Sequence, residues 1–240
     1  ASSSFTALSS NVKEFKNGWF RISMTYTTDT AAGLTNYFSS RSSSGNTDST
    51  DINANANCFL WGCQVEENNY VTSYVPTTNT SVTRTNDICK DAGNAALFNV
   101  SKLSLFIDVN NFKTNTGSFS YIVLTDGQNS PINMIRLDYT QNSISIRSYD
   151  NGTIKLSYDI TSVVPNQRNK LLLTFDNNEA KTYFNGVLKN TSTSITIPSG
   201  LDSLSFTNRT KSGGYFQGEV HDARVYDRVL TETEAIKLTT

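Results

Sequence analysis

A chain of 240 residues with a net charge of −1 and both signs scattered along it has room for one large β-sandwich or two smaller domains. It carries no basic footprint of the kind nucleic acid requires, and no apolar run approaches the roughly 20 residues that span a bilayer. Ser, Thr and Asn dominate its polar residues while charged residues make up only 17%, a mix that suits strands and turns.

The opening Ala1-Ser-Ser-Ser has neither an initiator Met nor a signal-peptide pattern, so we expect a processed product or part of a longer polypeptide. Residues 1–80 read as a first β segment. Its legible strands are Asn17-Gly-Trp-Phe-Arg-Ile-Ser-Met-Thr-Tyr26 and Cys58-Phe-Leu-Trp-Gly-Cys-Gln-Val-Glu66, separated by a polar loop over 39–57. Two or three strands are too few to close a sandwich, which leads us to expect that the start of this domain precedes residue 1. The cysteines Cys58, Cys63 and Cys89 form no evident disulfide framework. With one His in the chain they fall short of a four-ligand zinc site, and buried or idle free thiols are the expectation. Residues 81–90, after the turn-forming Pro76-Thr-Thr-Asn-Thr-Ser81, read as a linker.

Residues 91–240 read as an all-β second domain with short antiparallel strands at regular intervals. Leu103, Leu105, Ile107 and Val109 alternate along one face. Further strands are expected at Phe119–Leu124, Asn133–Tyr139, Ser143–Tyr149, Thr153–Tyr158, Leu171–Phe175, Lys181–Phe184, Ile195–Ile197, Leu204–Thr207 and Tyr215–Tyr226. Asp150-Asn151-Gly152 and Asn185-Gly186 are hairpin turns, since a type I′ turn needs φ > 0 at both central residues. In the last strand the apolar phase slips by one at His221-Asp222, as a β-bulge would make it. Thr231-Glu-Thr-Glu234 is a capping box that opens a short C-terminal helix. The fold class is therefore antiparallel β-sandwich with one terminal helix.

Two sets of motifs carry a family resemblance. Gly18, Trp19 and Arg21, then Leu60, Trp61, Gly62, Gln64 and Glu66, then Thr72, Ser73, Tyr74, Pro76 and Thr77, then Thr83, Arg84 and Asp87 follow one another in order. They resemble the closing half of the carbohydrate-binding-module-like jelly rolls common in phage tail proteins. Asn169-Lys-Leu, Tyr183-Phe-Asn-Gly-Val-Leu188, Phe216-x-Gly218 and Arg224-Val-Tyr-x-Arg-x-Leu-Thr-x-x-Glu234 resemble a laminin-G-like or concanavalin A-like module of phage tail fibres and secreted sugar-binding proteins. The resemblance implies a tail-fibre or receptor-binding protein on the virion surface, non-catalytic, binding host surface polysaccharide and assembling as a homotrimer beside other tail proteins. A structural virion protein without a ligand, a polysaccharide depolymerase and a secreted bacterial adhesin remain as alternatives.

Individual residues add candidate chemistry. Tyr215, beside Lys211-Ser-Gly-Gly, is the leading candidate for an aromatic sugar contact. Asp126-Gly-Gln-Asn129 is a turn that offers oxygen ligands from Asp126 and Asn129. It could touch a ligand or hold Ca²⁺, although it lacks the dense acidic spacing of a calcium loop, and no cofactor is otherwise expected. Trp19 and Trp61, flanked by apolar residues, are expected in the core rather than as sugar platforms. Arg21 and Glu66 are expected as a buried ion pair or hydrogen-bonded struts. For hydrolysis the best carboxylate pair is Glu219 and Asp222, astride the bulge.

Overall fold

A computed structural model describes residues 5–28, 59–67, 71–83, 87–98, 101–112, 119–130, 132–176 and 178–240. Contacts divide the chain into two compact units, Ala1–Thr85 and Asn86–Thr240. Cys58, Arg84 and the 39–57 loop lie outside the described residues. No helix among the described residues is long and apolar enough to cross a membrane.

In the first unit, β1 (Phe5–Glu14) and β2 (Phe20–Thr28) form a two-stranded antiparallel sheet. Asn17 and Gly18, at φ 64° and 76°, turn the chain between them. β1 is absent from the sequence expectation because Ser9, Ser10 and Asn11 interrupt any apolar alternation. Of the strand expected at Cys58–Glu66, the described residues 59–66 form none. Side chains organise this segment instead, and they converge on Thr72. The Arg21 guanidinium donates to the Thr72 carbonyl. Glu66 accepts from the Thr72 backbone N–H at 2.9 Å and from its hydroxyl at 2.7 Å. Gln64 donates to that hydroxyl at 3.2 Å and accepts from the Val75 N–H at 2.8 Å. Arg21 and Glu66 are thus struts on a shared backbone, not partners of each other.

A further expectation for this unit is corrected. Trp19 and Trp61 are 49% and 73% exposed rather than buried, because among its described residues only β1 and β2 pair and no second sheet covers the rings. The Trp61 ring instead lies 4.6 Å from that of Tyr74, which also packs over Gly62, where an added Cβ would stand 3.2 Å from the ring. Cys63, and Cys89 in the second unit, are free thiols and exposed, the idle rather than the buried form of the two expected.

The second unit begins with a short helix, α1 (Ala95–Phe98), in a stretch without periodicity; Asn94 Oδ1 caps it by accepting from the Leu97 N–H at 3.2 Å. The strands that follow are β3 (Leu103–Asn111), β4 (Ser120–Thr125), β5 (Met134–Tyr139), β6 (Ile144–Asp150), β7 (Thr153–Ile160), β8 (Arg168–Asp176), β9 (Glu179–Phe184), β10 (Val187–Thr193), β11 (Ser203–Ser205) and β12 (Gly218–Tyr226). They build two five-stranded antiparallel sheets, in the orders β10-β9-β8-β3-β12 and β11-β4-β5-β6-β7. Alternate residues of both sheets, among them Leu105, Ile107, Ile122, Leu137, Ile146 and Leu173, seal one core between them, as a sandwich requires. The strand expected at Ile195–Ile197 is absent. Ser194, at φ 61°, turns the chain out of β10, and Ile195 reaches the core from a loop.

The hairpins form where the sequence sets them. Asn151-Gly152 and Asn185-Gly186 all have positive φ, and Asn185 accepts from the Lys170 N–H at 2.8 Å while donating to Asn169 Oδ1 at 3.1 Å. The register of β12 on β3 shifts between Val220 and Asp222, so His221 is the extra residue of a bulge. α2 (Glu232–Thr239) opens with the full Thr231–Glu234 capping box. It lays Ala235, together with nearby Leu230, over Phe106, Leu172 and Tyr183 on the outside of the β10-β9-β8-β3-β12 sheet.

Two measurements check this account. At Gly218 an added Cβ would stand 2.1 Å from the Asn110 carbonyl oxygen and 2.7 Å from the Phe216 ring. Gly218→Ala should therefore destabilise the second unit by about 1–3 kcal/mol in urea unfolding. Glu234 is held down to about 2, below the ordinary 4.5, by hydrogen bonds from Arg228 and Thr231. A depressed folded pKa adds stability above the unfolded value that is lost as pH falls towards the folded one. The Tm difference between the native chain and Glu234→Gln should thus narrow as pH drops from about 4.5 to about 2.

Candidate functional site

The same alternation that fills the core sets a polar pattern on the outside of the β11-β4-β5-β6-β7 sheet. Ile135, Leu137 and Tyr139 point inward, so Met134, Arg136 and Asp138 point out. Ile144 and Ile146 do the same for Ser145, Arg147 and Tyr149. A register shift between β6 and β7 opposite Ser148 and Tyr149 lets Ile154 face out although Leu156 faces in.

Cross-strand register then sorts these outward residues into three rows. One row is Tyr121, Asp138, Ser145 and Asp159; the next is Val123, Arg136, Arg147 and Ser157; the third is Thr125, Met134, Tyr149 and Ile154. The rows are acidic, basic and apolar in turn. Along the strands they are spaced about 7 Å apart, two residues of rise.

Arg136 is the centre of this face. Its guanidinium carbon lies 5.5 Å from the Tyr121 ring centroid and 5.9 Å from that of Tyr149, within cation–π range of both. On the same strand Asp138 holds it in place, with Nη2 donating to Oδ2 at 2.7 Å and Nε 2.6 Å from Oδ1. The Asp138 side chain is only 4% exposed and that of Arg136 24%, so the face presents the cation and shelters its carboxylate. Burial pushes the Asp138 carboxyl above its ordinary 3.8, with Arg136 pulling back. Beside it, Arg147 donates to the Ile146 and Tyr158 carbonyls at 2.9 and 3.0 Å and pairs with Asp159 at 2.8 Å. The hydrogen bond from Arg147 draws the Asp159 carboxyl below its ordinary value.

One end of the face is framed by loops. The Tyr121 N–H donates to the Gly214 carbonyl at 3.1 Å, and the Tyr121 ring packs so close to Gly214 that a Cβ there would stand 2.4 Å from it. Half-buried Tyr215 follows Gly214 directly in the chain, outside the strands. Lys211 pairs with Asp91 at 2.5 Å. Asp126 accepts from the Gln128 N–H at 2.9 Å and from the Asn133 amide at 3.0 Å. It therefore shapes its turn with both oxygens, and Asn129 is exposed beyond it. Among the described residues no three His, Cys, Asp or Glu side chains cluster as a metal site would need. Glu219 and Asp222 lie on β12, in the other sheet; Asp222 pairs with Arg224 at 2.5 Å, and Glu219 is 3.8 Å from His221.

Sequence reasoning placed Tyr215, Asp126 and Asn129 at the loops and passed over Tyr121, Arg136, Asp138, Arg147 and Tyr149. The signal for the latter was present. Met134-Ile-Arg-Leu-Asp138 alternates, so its charges must share the face opposite the core. In Arg136→Gln the Asp138 carboxyl loses its charged partner, and its titration midpoint, followed by carboxyl carbon NMR, should rise further above 3.8.

Comparison with known proteins agrees with this architecture. No curated protein matches the sequence. Among solved structures, the CBM40 module of the Ruminococcus gnavus IT-sialidase superposes with a TM-score of 0.52 at 18% identity, over 63% of this chain and 94% of that one. The same module bound to α2,3-sialyllactose gives 0.51 at 17% identity, with the same coverage. A leech intramolecular trans-sialidase gives 0.51 at 16% identity, over 60% of this chain and 24% of its own length. A family model described as "Concanavalin A-like lectin/glucanases superfamily", Laminin_G_3, matches residues 72–235. With more than half of its length so matched, the chain belongs to the concanavalin A-like lectin/glucanase superfamily.

Proposed function

We propose that the second unit is a non-catalytic glycan-binding module, and that the chain is a phage tail-fibre or receptor-binding component that attaches to host surface polysaccharide. The observation that carries the binding reading is the three-row outer face. It combines what sugar sites combine: aromatic and apolar surface for the C–H face of a pyranose, and a few fixed polar groups for its hydroxyls. Arg136 and Arg147 are held by Asp138 and Asp159, so the polar groups are pre-ordered and little side-chain freedom is lost on binding. The R. gnavus module, of like fold, was solved with sialyllactose bound, which supports a saccharide on this type of sandwich.

A non-catalytic role is supported by the same ion pairs. Glycoside hydrolysis asks for two carboxyl groups flanking the scissile bond, about 5–10 Å apart. On this face Asp138 is sheltered beneath one guanidinium and Asp159 is paired with another. The virion assignment rests on the ordered motif from Trp19 to Asp87 and its resemblance to phage tail proteins. Repeated copies on a homotrimer would multiply weak single-site affinity through effective concentration.

The test is retention of the chain, displayed multivalently, on an array of host-type surface glycans. Tyr149→Ala combined with Ile154→Ser should reduce retention about tenfold or more, the scale of one lost stacking contact, while circular dichroism stays unchanged. Wild-type retention that the double variant leaves intact would move the site elsewhere. No retention by wild type would favour a structural role in the virion.

A further inference from the structure

We infer that the outer face selects acidic saccharides, with the anion seated on Arg136 and Arg147; this rests on the glycan-binding reading above. The starting point is the register. Arg136 and Arg147 stand directly opposite each other on β5 and β6, on the same face, and like charges in that position destabilise a sheet. Their compensating carboxylates do not lie between them. Asp138 and Asp159 both belong to the next row, one sheltered and the other 50% exposed. The middle of the basic row therefore holds two partly exposed cations, Arg136 at 24% and Arg147 at 20%, with their carboxylates set to one side.

Arg136 is suited to an anion in a further way. Asp138 contacts its Nε and Nη2, which fixes the guanidinium plane between Tyr121 and Tyr149. A planar, always-charged fork held in one orientation matches a carboxylate or sulfate better than a lone hydroxyl. The spacing fits one sugar ring. With the anion on the basic row, a ring extending along the strands for about 7 Å reaches Tyr149 and Ile154 in the apolar row. Hydroxyls on the opposite side meet Asp159, an acceptor. The anion relieves the repulsion between the two arginines, so charge complementarity and shape point to one ligand class.

The experiment uses the 240-residue chain coupled to streptavidin, on an array carrying sialylated, glucuronate-bearing and sulfated oligosaccharides beside their uncharged counterparts. The expected result is retention on acidic members about tenfold or more above their neutral counterparts, the scale of a charged hydrogen bond, and falling as salt rises. Arg136→Gln should abolish that preference. Because this variant leaves Asp138 buried without its partner, Arg136→Gln with Asp138→Asn serves as the second variant, since it removes both charges together. Equal retention on acidic and neutral members would overturn the inference and leave glycan binding standing. An acidic preference that survives in the double variant would overturn it too, because the anion would then sit elsewhere. Retention on neither class would overturn both.

Discussion

The apolar seal between the two sheets is the constraint on which the rest of the second unit depends. Each strand that commits alternate side chains to that seal must turn the others to the outside, and antiparallel register then lines those others up across the sheet. The two outer faces are used differently. On the β10-β9-β8-β3-β12 sheet, Phe106, Leu172 and Tyr183 make a second apolar patch, which α2 closes. On the other sheet the outer residues mix arginine, aspartate, serine and tyrosine with an apolar row of Met134, Tyr149 and Ile154, and no helix lies over them among the described residues.

The C-terminal helix shows how local and distant interactions agree. The capping box starts it, Arg228 braces its first turn through Glu234 at 2.7 Å, and Thr239 near its end accepts from the Gly186 N–H at 3.2 Å. The Asn185-Gly186 hairpin is thereby fixed from two directions, by β8 through Asn169 and Lys170 and by the helix through Thr239. A turn that reads as a short-range signal in the sequence is also a long-range tie in the fold. The mutual support of local and global preferences is what gives a chain a single native state.

How much was legible in the sequence depended on how far each feature relied on periodicity. The strands from Leu103 to Phe184, the bulge at His221 and the Thr231 cap follow from alternation and capping chemistry, which act locally. Ile195–Ile197 misled because an apolar pair can enter a core from a loop as well as from a strand. The Trp-Gly-x-Gln-x-Glu stretch misled because Gln64 and Glu66 serve by gripping the backbone at Thr72 and Val75, not by pairing in a sheet. The outer-face cluster was legible in principle, residue by residue. What a linear reading lacked was the strand order and register that bring Tyr121, Arg136 and Tyr149 together across three strands.

The order of the three rows has a consequence for direction. A face that is acidic on one side, basic in the middle and apolar on the other has no symmetry that exchanges its ends. A sugar laid along the strands and turned end for end would set its hydroxyls on Tyr149 and Ile154 and its ring face against Asp159. Such a surface distinguishes the two senses in which a chain can run across it. If a polysaccharide is its ligand, every copy of the module bound along one polymer would grip it in the same sense, and the polymer would be held like a ratcheted cord rather than a loose thread.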